Sequence, residues 1–241
     1  MKQLIYFYVV ILLCGIVTVG CSNRRSETVV SDSTVVELEP VVEINDSVLE
    51  LFQTVRPINS IVIHCSASGD DYDMPLDSIR KDHLSKGWLD VGYHYYITRD
   101  GVVHKARPLN KRGAHVRGHN EYSIGICYEG GLRRASDVPG MESITVPEEI
   151  KDKRYDIFKV YLDSDTIIAT AIRGEAYVAY DTRTKAQKKA LAELVSHLLV
   201  LYPNAKVSGH RDFSRDLNHD GVISPNEWIK SCPSFEVKDE F

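Results

Sequence analysis

SGHRDFSRDLNHDGVISPNEWIKSCPSF, residues 208–235, carries a histidine and a cysteine of the kind that bind one metal ion. His210 follows a short apolar run, and Cys232 lies near the carboxyl end with Lys230 two residues before it. Imidazole and thiolate suit zinc, and a catalytic zinc ordinarily takes three protein ligands and leaves the fourth position to water. The third candidate is His64, at the end of the apolar run Ile61-Val62-Ile63. Taken alone, His64 reads as a satisfied core histidine; its combination with His210 and Cys232 makes it a ligand. A structural site would close its shell with a fourth Cys or His, usually at short CxxC spacing, and no such spacing is present. The open position points to hydrolysis, because zinc lowers the pKa of a bound water toward about 7 and polarises a carbonyl oxygen.

The same stretch holds a second signal. Asp216, Asn218, Asp220, Gly221 and Glu227 fill every specified position of the calcium-loop pattern D-x-N-x-D-G-x5-E. Ser224, Pro225 and Glu227 also suit the N-cap, N1 and N3 positions of a helix, which gives a hydrophilic loop followed by a capped helix as the other reading. The two readings are compatible, and a calcium ion held here would be structural.

Working outward, Ser60 to His64 reads as a buried strand because its apolar residues are β-branched and continuous. Functional side chains tend to project from the carboxyl ends of strands in α/β sheets, which is where this strand puts His64. Residues 74–87 contain a modest helix with Pro75 near its start and Gly87 past its end. Arg99-Asp100-Gly101 between two β-rich runs predicts a hairpin. Gly113 to Gly130 is a polar, glycine-rich loop running into a strand over Ile124 to Tyr128, and loops of this kind line clefts. His115 and Asn120 in that loop are candidate substrate contacts. From Leu132 to Tyr180 the pattern is less regular: runs ending in KVYLD, TIIATAIR and EAYVAY read as a small β-meander, an insertion with no role legible in its residues.

Thr184 to Leu201 is the clearest helix. Thr184 and Gln187 have capping-box spacing, and Ala190, Leu191, Leu194, Val195, Leu198 and Leu199 form one apolar stripe, which is core. Lys206 to Ser208 is then the strand that delivers His210. Together these elements predict an α/β fold, a central mixed β-sheet flanked by helices with a β-rich insertion.

At the other end, Met1 and Lys2 precede an apolar run from Leu4 to Gly20, short for a membrane span and in the order of a secretory signal. Thr18-Val19-Gly20-Cys21 resembles the lipobox of bacterial lipoproteins, with Thr18 where leucine is commonest; an uncleaved anchor or a plain signal peptide are the other readings. Ser22 to about Asn45 is rich in Ser, Thr, Val and Glu without helical period, as in a tether. The expected organisation is a signal peptide over 1–20, a lipid-attached tether over 21–55 beginning at Cys21, and a catalytic domain over 56–241 with its insertion at 132–180. Such a protein is exported and anchored by lipid in the cell envelope, facing the periplasm or the outer surface. Export permits disulfides; Cys65 and Cys127 are left either to pair or to stay buried thiols. With 43% hydrophobic and 26% charged residues among 241, the chain is ordinary globular material, and its net charge of −5 without a basic stripe argues against nucleic acid as a partner.

Residues about 58–131 and 181–236 resemble the zinc-dependent N-acetylmuramoyl-L-alanine amidases, a group that includes phage lysozyme-type amidases and peptidoglycan recognition proteins. The resemblance is carried by IVIHCSAS at 61–68, VGYHYYITRDG at 91–101, GAHVRGHNEYSIGI at 113–126, and GHRD with KSCPSF at the end. It implies that fold, zinc on His64, His210 and Cys232, and Tyr93 and Lys230 as groups that orient the water or stabilise the developing oxyanion. Some members carry a glutamate just after the SIGI motif; Cys127 stands there in this chain, which favours the tyrosine and lysine version. Glu129 substitutes only if the strand register allows. The implied activity is hydrolysis of the amide between N-acetylmuramic acid and L-alanine in peptidoglycan. A module of the same fold that binds peptidoglycan or muropeptide without cutting it is the alternative, and a cysteine hydrolase using Cys65 or Cys127 is a third reading.

Overall fold

The computed structural model describes residues 56–162 and 165–241, so the segments expected to be a signal peptide and a tether, with Cys21, lie outside the described residues. Strand β1 (Ser60–Cys65) is the axis of the main sheet. It pairs in parallel with β10 (Lys206–Gly209) on one side and β5 (Ser123–Tyr128) on the other. Beyond β5 lie β3 (Tyr95–Ile97), parallel to it, and the short edge strand β4 (Val103–Lys105), antiparallel to β3. The expected hairpin is thus β3–β4, closed by a turn in which the Gly101 N–H donates to the Thr98 carbonyl.

Alternation along the strands assigns the two faces. Ile61, Ile63 and Cys65 of β1, with Ile124, Ile126 and Tyr128 of β5, share a core with Leu191, Leu194, Val195 and Leu198 of helix α2 (Lys185–Leu201). The stripe read from the sequence is the face α2 buries. At its N-terminus the Thr184–Gln187 capping box forms, and the buried Gln187 amide also donates to the carbonyls of Ile97 and Glu129. Those two bonds lock the helix start to the ends of β3 and β5.

The opposite face of the sheet carries His64, Cys127 and Tyr96, which are register partners across β1, β5 and β3. Tyr96 and Cys127 pack there with Ile79 of helix α1 (Leu76–Ser85). Cys65 and Cys127 therefore sit on opposite faces of one sheet, and both are free, buried thiols. Strand alternation excludes the disulfide that composition left open.

The insertion forms a second sheet, in the order β2 (Ser68–Gly69), β6 (Gly131–Arg134), β9 (Glu175–Ala179), β8 (Asp165–Ile172), β7 (Tyr155–Leu162). The meander is β7–β8–β9. What the sequence did not show is that β6 pairs in parallel with two residues just downstream of Cys65. Gly131 makes this approach feasible: with φ of +99°, a Cβ on it would meet Cys65 Cβ and Sγ at 2.5 Å.

Candidate metal centre

Three segments converge at the carboxyl ends of the parallel strands. His64 is the penultimate residue of β1, His210 begins the turn after β10, and Cys232 returns beside them at the end of the long excursion from His210. Their ligating atoms all lie within 4.8 Å of one another, the Cys232 Sγ being 3.8 Å from His64 Nδ1. The two imidazole centroids are 4.7 Å apart. Backbone bonds fix this convergence: the Arg211 N–H donates to the Cys232 carbonyl at 2.8 Å, and the Cys65 N–H points at Cys232 Sγ at 3.3 Å. The Arg211 side chain holds the excursion itself, stacked 4.2 Å over the Trp228 ring and paired with Glu236 at 2.9 Å.

The protonation states suit a cation. Burial, with the charges of His115, His210 and Lys230 adding to it, holds His64 well below the ordinary imidazole value. Burial and Lys230 pull His210 down to about 4. Both rings are neutral at pH 7, the form that ligates metal. Burial also pushes the Cys232 thiol well up, and a thiolate at that depth calls for a positive charge against it. The His, His, Cys donor set with neutral rings and a shielded sulfur fits zinc.

Tyr93 lies beside this group, its ring centroid 5.0 Å from that of His64. Burial, followed by the neighbouring thiols, pushes its phenol well above its ordinary value, so it stays an O–H donor. Lys230 is exposed, yet close enough for its charge to oppose protonation of both histidines. Glu129 is buried and turned elsewhere: its carboxylate accepts the N–H of Met74 and, at 3.1 Å, the N–H of Arg99.

His115 and Asn120 are also turned inward. His115 is 8% exposed, with Nδ1 at 3.0 Å from His64 Nε2 and Nε2 at 3.2 Å from Ser123 Oγ. With His64 Nδ1 on the ligand side, its Nε2–H donates to His115, whose own Nε2–H donates to Ser123. Gly125 makes room for this chain, since a Cβ there would meet the His115 ring at 2.6 Å. Asn120 Oδ1 accepts from the His115 and Val116 N–H groups at 2.8 and 2.9 Å and pins the loop. Residues of this kind are legible only as polar residues in a loop, because their partners lie on other segments.

Among the described residues, the group of three or more His, Cys, Asp or Glu ligands that the structure gathers is His64, His210 and Cys232. The loop from Asp216 to Glu227 does not make a second. Glu227 Oε1 accepts from the N–H of Leu217 and Asn218, and Oε2 from the N–H and hydroxyl of Ser224. Asp216 and Asp220 accept from Gly221 and Val222, and Asn218 bonds to Asp220. Glu227 is committed to the capped turn, which supports the polar-loop reading, while Asp216 Oδ1 is buried without a hydrogen-bond partner.

With the geometry in place, the chain can be set beside known proteins. Residues 54–226 match the N-acetylmuramoyl-L-alanine amidase family. The endolysin of Escherichia phage T7 is 41% identical over 188 residues, covering 78% of this chain and 87% of the phage protein. The endolysin of Klebsiella phage KP32 is 30% identical over 187 residues, with the same coverage of 78% and 87%. A shorter likeness, 41% over 69 residues, covers 28% of this chain and 37% of peptidoglycan-recognition protein SC1a of Drosophila melanogaster.

Proposed function

Because the chain belongs to the N-acetylmuramoyl-L-alanine amidase family, we propose that it is a zinc hydrolase that cleaves the amide between N-acetylmuramic acid and L-alanine in peptidoglycan. One observation carries the zinc reading: three ligand atoms from three segments lie within 4.8 Å of one another, with a protonated phenol and an ammonium beside them. A module that only binds muropeptide has no use for that constellation.

His64, His210 and Cys232 hold the ion, which when bound supplies a water of lowered pKa and Lewis-acid polarisation of the scissile carbonyl. His115 and Ser123 keep the His64 ring in the tautomer that presents Nδ1. Tyr93, kept protonated by burial, donates its O–H to the oxygen that gains negative charge, and Lys230 adds a fixed positive charge. Preorganised donors of this kind act where charge develops and need no reorganisation during reaction. Glu129 is occupied by backbone donors, so no carboxylate base is assigned. Cys65 and Cys127 are buried thiols, a setting that gives the cysteine-hydrolase reading no exposed nucleophile.

The reading also takes the protein to the cell envelope. The apolar run ending at Cys21 and the tether after it would hold the domain within reach of peptidoglycan, by acylation of Cys21. Loss of radiolabelled palmitate incorporation in Cys21→Ser tests the anchor. Mass spectrometry of peptidoglycan digests tests the activity: the wild type releases free stem peptides and His64→Ala does not. Release by both proteins, or by neither, overturns it.

A further inference from the structure

Residues 229–231 lie in no helix or strand, so no element of regular structure sets where Lys230 stands. Two anchors hold this short segment, and both belong to one residue, Arg211, the immediate neighbour of the ligand His210. Downstream of Lys230, the Arg211 N–H donates to the Cys232 carbonyl at 2.8 Å. Upstream, the Arg211 guanidinium lies over the Trp228 ring, its Cζ 4.2 Å from the ring centroid. Lys230 is the midpoint, two residues from Trp228 and two from Cys232. Two residues of extended chain reach about 7 Å, so the pair of anchors keeps the lysine backbone close to the metal ligands.

The guanidinium is itself well fixed. Arg211 is 8% exposed, and its Nη2 donates to Glu236 Oε2 at 2.9 Å. The charge is thus paired at one edge of the plane while the flat face stays free for the indole. The tail that brings Glu236 is tied to β5 through the Tyr128 hydroxyl, which donates to the Pro233 carbonyl. A further link closes the excursion from the other side: the Ile229 N–H donates to Ser214 Oγ at 3.2 Å, and the Ser214 N–H donates to the Arg211 carbonyl at 3.0 Å. These contacts lead back to the turn that begins with His210, so that turn sets the place of Lys230 as well as that of the ligand.

We propose that Arg211 is a positioning residue for the amidase reaction: stacked on Trp228, it holds Lys230 where the ammonium meets the oxygen that gains negative charge. This rests on the amidase reading above. The bond to the Cys232 carbonyl is made by the backbone and survives substitution of the side chain, so the zinc ligand keeps its place. Loss of the guanidinium releases the upstream anchor and leaves the downstream one, and a catalytic group shifted by about 1 Å can cost about 100-fold in rate.

Steady-state hydrolysis of an N-acetylmuramoyl-L-alanyl peptide by the full zinc-loaded chain tests this. Arg211→Ala is expected to lower kcat about 10–100-fold, with KM within about threefold and zinc content unchanged. Added to Lys230→Ala, the same substitution costs nothing more, because the lysine through which it acts is gone. Trp228→Ala leaves Arg211 and Glu236 paired, reproduces the loss, and stands in if Arg211→Ala folds poorly. Trp228→Phe keeps an aromatic face and recovers most of the rate. A second measurement needs no turnover: with Co(II) in place of zinc and the lysines reductively methylated with carbon-13, the Lys230 signal, identified by its loss in Lys230→Ala, carries a paramagnetic shift. That shift shrinks in Arg211→Ala and Trp228→Ala. Losses that multiply in the double variant overturn the proposal, as do an unchanged kcat or an unchanged cobalt shift in the single ones. A wild-type chain that does not cut the peptide overturns the amidase reading instead, and the cobalt shift then decides by itself whether Arg211 holds Lys230.

Discussion

His115 stands directly behind His64, its Nδ1 3.0 Å from the Nε2 of that ring and its other nitrogen on Ser123 Oγ. A ligand imidazole whose second nitrogen is hydrogen-bonded is fixed in tautomer and orientation, and outer partners of this type are worth about 10–100-fold in metal affinity. His115→Ala is therefore expected to weaken zinc binding by that range while His64, His210 and Cys232 remain. Competition with a chromophoric chelator measures it. Unaltered affinity in a folded variant would show that the second ring does not orient the first.

Tyr93 and Lys230 separate from the ligands by what their loss leaves intact. Neither belongs to the three-atom group, and Tyr93 stays a neutral donor because of its burial. Tyr93→Phe and Lys230→Ala should each lower kcat by about two to three orders of magnitude with zinc content unchanged. Cys232→Ser should lose the metal along with the activity. Metal analysis beside kcat distinguishes the two classes, and zinc loss in Tyr93→Phe would contradict the assignment.

The acid limb of stability has an identifiable contributor in His94. It is 1% exposed, with Nδ1 accepting from the Gly125 N–H at 3.0 Å and Nε2 facing the Lys111 carbonyl at 3.0 Å. Burial, opposed by the Lys111 bond and reinforced by Arg56 and Arg107, pulls it from 6.5 down to about 4. Between those values the unfolded chain takes up a proton that the folded chain refuses. The stability present above pH 6.5 is thus lost as pH falls toward 4, by on the order of 3 kcal/mol from this residue. Urea titrations at pH 7, 5.5 and 4 should show His94→Gln losing less than wild type over that interval. Parallel losses in the two proteins would assign the effect to other groups.

Some of this was legible in the residues and some was not. Ser60–Cys65 and Lys185–Leu201 could be read because burial on both faces of a parallel strand, or on one stripe of a helix, leaves a period in the sequence. His64, His210 and Cys232 stood out by chemical type. His115 did not reveal its partner, since the bond to His64 joins residues whose separation no local period encodes. Glu227 served two patterns at once, calcium ligand and N3 of a capping box, and only the directions of its two oxygens separate them. β2 is two residues long and has no pattern of its own.

Arg183 ties the tail that carries Cys232 to the sheet. Its side chain is fully buried; it reaches Asp181 at 2.8 and 2.9 Å and Glu240 at 2.8 and 2.6 Å, and its Cζ lies 3.2 Å over the Phe235 ring. Phe235 follows closely on Cys232, so the clamp fixes where that ligand's segment ends. Removing the guanidinium leaves Asp181 with Lys188 alone, 2.9 Å away, takes this cation from Glu240 and uncovers the ring, and breaking a buried pair from one side costs about 3–5 kcal/mol. Asp181 and Glu240 keep 28% and 37% of their side-chain exposure, which places the expected loss for Arg183→Ala at the lower end, about 3 kcal/mol. For a domain of this size that is a fall of roughly 6–12 °C in Tm. Arg183→Lys keeps the charge without the double fork and should fall between the two. Thermal melts monitored by circular dichroism check the order; an alanine variant as stable as the lysine one would mean that packing on Phe235, and not the paired carboxylates, sets the cost.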